Sequence, residues 1–243
     1  MPLLVAAASA AAAIAAAGER FVAGTSDICH DLHESCAAWA AAGECERNLS
    51  YMRLYACRIS CDSCGLDVAD VSPIPVVEPE FMADEASFAR CKARIPRERL
   101  RWGADRTAAS EVGCSRGGRH ELKGAWEQTG LVKAAARAAA RDESITFYDT
   151  STGVPLFVAP RNRTMHHFLQ ESRDMGWLVF RDAEVELAHV RTLRATRGML
   201  VSADGLRIGV NQPDEYTSRY IINIATIAGR PPSPDGRQQR DEL

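Results

Sequence analysis

The stretch CHDLHESCAAWAAAGECERNLSYMRLYACRISCDSC, residues 29–64, holds six of the chain's eight cysteines. Trp39 and Tyr51 are its expected packing residues. A segment this short cannot bury enough apolar surface to fold unaided. Cross-links can supply what the core lacks, at about 2–4 kcal/mol each. An even cysteine count at close spacing is read as a disulfide framework, and six cysteines alone leave about 15 connectivities open. Zinc is the competing reading. Cys61-Asp62-Ser63-Cys64 has metal-ligand spacing and His30 and His33 lie near it. An oxidising compartment would favour bridges over metal.

The spacing carries a resemblance. Cys29-His30-Asp31, Cys36 with Trp39, Gly43-Glu44-Cys45, Asn48, Tyr51-Met52, Cys57, Ser60-Cys61 and Cys64 together resemble the ShKT domain. The copies attached to lumenal oxidoreductases such as prolyl 4-hydroxylases are the nearest in pattern. The resemblance implies the pairs Cys29–Cys64, Cys36–Cys57 and Cys45–Cys61. Toxins of that family block potassium channels with an adjacent Lys-Tyr pair. Tyr51 and Met52 stand at those positions here, so an accessory or interaction module is expected in place of a channel blocker.

Both chain ends point to the secretory pathway. Residues 3–17 are almost all Ala, Leu, Val and Ile, too short a run to span a bilayer, which takes about 20 residues. They read as a signal peptide, residues 1–17, with a cleavage pattern at Ala15 and Ala17. No Lys or Arg precedes the run. The chain ends Arg240-Asp241-Glu242-Leu243, which differs from the usual retrieval tetrapeptide by Arg for Lys. The endoplasmic reticulum lumen is the expected location and a retention-signal receptor an expected partner. Asn48-Leu49-Ser50 and Asn162-Arg163-Thr164 are glycosylation sequons. No later segment is long and apolar enough to span a membrane. The net charge of −3 argues against a nucleic-acid partner.

Residues 65–90 carry Pro73, Pro75 and Pro79 among several acids and read as an extended linker. Residues 91–144 read as a helical or irregular connection, with a basic run from Arg94 to Arg106 and strong helix formers between Gly124 and Arg141. Cys91 and Cys114 are expected to pair with each other, with a redox-active or intermolecular role as the alternative. From residue 145 the pattern turns to short strands: Ile145 to Tyr148, Val154 to Val158, Met199 to Ser202, Leu206 to Val210 and Tyr220 to Ile227. One amphipathic helix is predicted near Thr164 to Arg173, where Met165, Phe168 and Leu169 share a face. Residues 230–243 form a tail.

Four segments of this last region, in order, resemble the methionine-R-sulfoxide reductase family. They are Tyr148 through Gly153-Val154-Pro155-Leu156-Phe157, Gly176-Trp177-Leu178-Val179-Phe180, Gly205 to Val210 with Pro213-Asp214, and Arg219-Tyr220-Ile221-Ile222-Asn223. The resemblance, over residues 145–229, implies two small antiparallel sheets packed on each other. The fold class expected is thus α+β and multi-domain, a disulfide-rich module followed by that β domain. In the family a cysteine thiolate attacks the sulfoxide, His and Asn side chains assist, and a Trp receives the methyl group. Here the nucleophile position matches Ile221, and the two His positions match Arg207 and Val210. Trp177, Arg219 and Asn223 are retained, and both metal-binding cysteine pairs are missing. The expectation is a degenerate, zinc-free domain with no cofactor and no metal. It would serve as a binding or structural module, with Trp177, Arg219 and Asn223 as a residual pocket. The alternatives are a working reductase or other thiol oxidoreductase that uses Cys91 or Cys114, and an accessory subunit of a lumenal oxidoreductase.

Overall fold

In the computed structural model the described residues are 29–78, 80, 85–114, 120–194, 196, 198–214 and 217–232. The signal-peptide reading of residues 1–17 and the Arg240-Asp241-Glu242-Leu243 motif lie outside them.

The first unit is the stapled module. Helix α1 (Cys36–Ala41), the single turn α2 (Glu44–Arg47) and a π-helix over Ser50–Ala56 are joined by bridges Cys29–Cys64, Cys36–Cys57 and Cys45–Cys61. These are the pairs that the ShKT resemblance implied. The module's buried core is Cys36, Met52, Ala56, Cys57 and Cys61, with Trp39 and Tyr51 packed against it. Two of the three bridges run through this core, so sulfur supplies much of the apolar volume. Asp31 closes the fold: its carboxylate accepts from Ile59 N (2.9 Å), Ser60 N (3.2 Å) and Ser60 Oγ (2.5 Å).

The remaining chain builds a six-stranded sheet in the order β1-β5-β6-β7-β8-β4 and a separate two-stranded hairpin β2-β3. The strands are β1 (Val76–Val77), β2 (Ile145–Tyr148), β3 (Pro155–Ala159), β4 (Leu178–Phe180), β5 (Val190–Leu193), β6 (Met199–Ser202), β7 (Arg207–Asn211) and β8 (Tyr220–Ile222). Among the described strands every pairing is antiparallel except β1 with β5. This corrects the expectation of two antiparallel sheets: one sheet is mixed. The two sheets share one core. Phe180 of β4 stacks on Phe157 of β3 at 4.3 Å and meets Phe147 of β2 at 5.1 Å. Phe168, from helix α6 (Met165–Met175), completes the cluster at 5.3 Å from Phe180. Thr164 caps that helix by accepting His167 N, and Gly176 ends it at φ +88°, a conformation glycine takes without a Cβ penalty.

The parallel strand is the second correction. Within the segment 65–90 expected to be an extended linker, residues 67–77 are built into the fold. Asp67 caps a 3-10 turn over Val68–Val71, accepting Ala69 N while Asp70 accepts Asp67 N. Ile74 is buried in the main core. Pro75 O then accepts Thr192 N at 3.0 Å and Val77 O accepts Arg194 N at 3.0 Å. Proline is tolerated there because an edge strand needs donors on one side only. Two of the acids that suggested a linker, Asp70 (3.0 Å) and Glu78 (3.1 Å), pair with Arg194.

A third correction concerns Tyr220 to Ile227, predicted as one strand. It breaks after Ile222, and Ile224–Thr226 form a 3-10 turn. The ladder ends at Asn223, whose backbone N–H and side-chain Nδ2 both donate to Ile208 O of β7 while its Oδ1 accepts Glu121 N. Ile224, Ala225 and Ile227 reach the core from the turn.

Between the linker and the hairpin lie α3 (Glu85–Arg94), α4 (Arg106–Gly113) and α5 (Leu131–Ala139). Cys91 and Cys114 are bridged and buried, and tie the end of α3 to the end of α4. Helix α4 packs on β7 and the 224–226 turn, where the absent side chain of Gly113 leaves room for Leu206 and Thr226.

Candidate functional site

The residues singled out from the sequence separate into two groups. Trp177 and Asn223 converge, but on the chain itself. Trp177 lies just before β4, and its Nε1 donates to Glu121 O at 3.0 Å. Asn223 lies just after β8. Its Oδ1 accepts Glu121 N at 3.0 Å and its Nδ2 donates to Ile208 O at 3.1 Å. The two side chains therefore hold both sides of the Glu121 backbone. His120 adds its ring edge to Trp177 at 6.2 Å.

Glu121 itself was not legible as a site residue. It is 8% exposed. Its carboxylate accepts Ala225 N at 3.1 Å and so caps the 224–226 turn from another part of the chain. Burial pushes its pKa up to about 7, against the opposing pull of the Ala225 and Ile224 backbone N–H groups. Burial also lowers the pKa of His120, helped by the nearby Arg207 cation. Arg207 is buried too, and that burial lowers its own pKa.

Arg219 does not join this cluster. It precedes β8 at the other end of the strand, where its Nε donates to Gln212 O at 3.2 Å and its guanidinium lies 3.8 Å from Asp214. Asp214 belongs to a charged network that sequence reading missed. Glu184, fully buried, accepts from Arg163 (2.8 and 2.5 Å), Arg181 N (2.9 Å) and Arg161 N (3.2 Å). Glu171 pairs with Arg163 at 2.5 Å and with Arg181, and Arg181 reaches Asp214 at 2.7 Å. The Tyr220 hydroxyl donates to Asp182, and burial with that contact raises its pKa. These donors and acceptors satisfy one another, which suits a structural clamp between α6, β4 and β8.

Ile221 sits in the middle of β8, opposite Val179 on one side and Val210 on the other. It is buried, and nothing ionisable lies beside it in the ladder. In the stapled module, Met52 is buried in the core, so one half of the Tyr51-Met52 pair is unavailable to any partner. A row of rings does reach the surface: His33 stacks on Trp39 at 4.5 Å, Trp39 meets Tyr51 at 6.5 Å, and Tyr51 meets the exposed Tyr55 at 6.0 Å.

Comparison with known proteins agrees with the first unit. Residues 28–64 match the family model described as ShK domain-like. A probable prolyl 4-hydroxylase 6 from Arabidopsis thaliana is 52% identical to this chain over 42 residues, 15% of this chain and 15% of that protein. The chain thus covers only a small part of the length of the curated relative it matches. No solved structure gives a significant match.

Proposed function

We propose that this chain is a non-catalytic accessory protein of the endoplasmic reticulum lumen, in which an ShK-like module and a degenerate reductase-like β domain act as binding or structural units. The observation that carries this reading is that all eight cysteines are bridged. A sulfoxide reductase or thiol oxidoreductase needs an accessible thiolate. The position matched to the nucleophile is Ile221, and the other two candidates, Cys91 and Cys114, are joined to each other under a buried surface. Trp177 and Asn223, two of the candidate pocket residues, are occupied by the backbone of the chain's own Glu121. Arg207 stays protonated and Val210 carries no proton to give, so neither supplies acid–base chemistry.

The test is turnover of methionine-R-sulfoxide by the full chain with dithiothreitol. No turnover is expected. Turnover abolished by Cys91→Ser or Cys114→Ser would replace this reading with the thiol oxidoreductase. The compartment is tested separately: the full chain should co-localise with lumenal markers, and removal of residues 240–243 should send it to the medium.

A second reading makes the protein a subunit or companion of a lumenal prolyl hydroxylase. The similarity to the Arabidopsis thaliana hydroxylase over 42 residues favours it. Co-purification of hydroxylase activity with the full chain from its native source would support it.

A further inference from the structure

The two sequons stand in opposite structural settings. Asn48 is half-buried and forms the C-cap of α2. Its N–H donates to Glu44 O at 2.9 Å and its carbonyl accepts Met52 N at 2.9 Å, so helical hydrogen bonds hold it from both sides. Leu49, the next residue, is also half-buried, and Cys45 lies three residues before Asn48. A glycan on Asn48 would have to be accommodated at a half-buried helix end in a module only 36 residues long.

Asn162 lies in the turn between β3 and α6. It is exposed and adopts φ +58°, a left-handed conformation that Asn tolerates better than most residues. Its neighbours are both held by ion pairs. Arg161 pairs with Glu186 at 2.7 Å, and Arg163 pairs with the buried Glu184. Between these two anchored neighbours Asn162 remains exposed. The turn is fixed further by Ser144 Oγ donating to Pro160 O at 2.7 Å and by Arg161 N donating to Glu184 at 3.2 Å. Thr164, the third sequon residue, is exposed at the start of α6.

We propose that Asn162 is the N-glycosylated residue of this chain and that Asn48 is left unmodified. The proposal rests on the lumenal reading above, since the transfer takes place only there. In the transfer the Asn162 amide nitrogen forms a bond to C1 of an oligosaccharide. The bond from C1 to the pyrophosphate oxygen of the lipid-linked donor breaks, the lipid pyrophosphate leaves, and the amide gives up one proton. The bulky polar product then stands over solvent at the mouth of a rigid turn, where it displaces no packed side chain.

The test expresses the full chain in cells with a secretory pathway and follows its gel mobility before and after peptide N-glycosidase. One glycan's shift is expected. Asn162→Gln should abolish it, while Asn48→Gln should leave it unchanged. Thr164→Ser keeps the sequon and should keep the shift, which separates loss of the acceptor from disturbance of the helix cap. A shift that survives Asn162→Gln, or is lost with Asn48→Gln, overturns the proposal. So does a bridged, protease-protected lumenal chain with no shift, and that outcome leaves the compartment standing. A cytosolic chain with free thiols overturns both.

Discussion

Glu121 gives the sharpest test of how the β domain is held together. Its carboxyl holds a proton more tightly in the folded chain than in the unfolded one, with a pKa near 7 against an ordinary value of 4.5. The stability this group provides is therefore complete below about pH 4.5 and is lost as pH rises through about 7. The gap between the two values corresponds to about 3 kcal/mol. Glu121→Gln keeps an oxygen to accept Ala225 N–H and cannot ionise. The variant should match the parent near pH 4.5 and exceed it by about 3 kcal/mol above pH 8. Urea unfolding without reductant, followed by tryptophan fluorescence at a series of pH values, measures the difference. Only the difference between the two proteins is interpreted, because His120 and other groups titrate in both. Glu121→Ala serves as the control: it leaves the Ala225 N–H without its acceptor, at a pH-independent cost of about 1–3 kcal/mol. A parent–Gln difference that stays constant from pH 4.5 to 8 would refute the claim that a buried carboxylate strains this site at neutral pH.

Other outcomes follow from the same geometry. Glu184→Ala, which strands Arg163 beside an empty buried position, should destabilise by about 3–5 kcal/mol in the same urea assay, whereas Arg194→Ala at the exposed Asp70–Glu78 pair should cost less than about 1 kcal/mol. With graded dithiothreitol and peptide mapping, the bridges that include the half-buried Cys45 and Cys64 should open first, and the fully covered Cys91–Cys114 bridge last. Ile221→Cys should yield a thiol that alkylates slowly in the native chain and quickly in urea, since the position is 5% exposed. Fast native alkylation would mean that the centre of β8 is open to small molecules.

What could be read in the sequence follows from how local its cause is. The module was legible because its cysteines and their neighbours resemble the ShKT domain, which implied one pairing where spacing alone left about 15 open. The hairpin of β6 and β7 was legible because Ala203-Asp204-Gly205 supplies a glycine at φ +85° between two alternating runs. Helix α6 declared itself through Met165, Phe168 and Leu169, which share one face. The break at Asn223 was hidden, since a run of Ile and Ala residues satisfies a strand and a buried turn equally well. Strand β1 was hidden as well. Two valines between prolines become a strand only because β5 offers an edge, and that edge is built by residues more than a hundred positions away. Glu121 and the Glu184 network look like ordinary surface charges in sequence. Tertiary placement alone makes them buried and mutually paired.

The short parallel strand has a consequence for where this protein can be cut. Without residues 76 and 77, β5 would present unpaired backbone groups along the open side of a mostly apolar sheet, a ready template for a second molecule to zip onto. With them, the side is closed by a strand too brief, and too hemmed in by Pro73 and Pro75, to recruit another. The natural boundary of the second unit therefore lies near residue 65, not 90. A fragment that begins at 91 should aggregate as its concentration rises, while one that begins at 65 should stay monomeric.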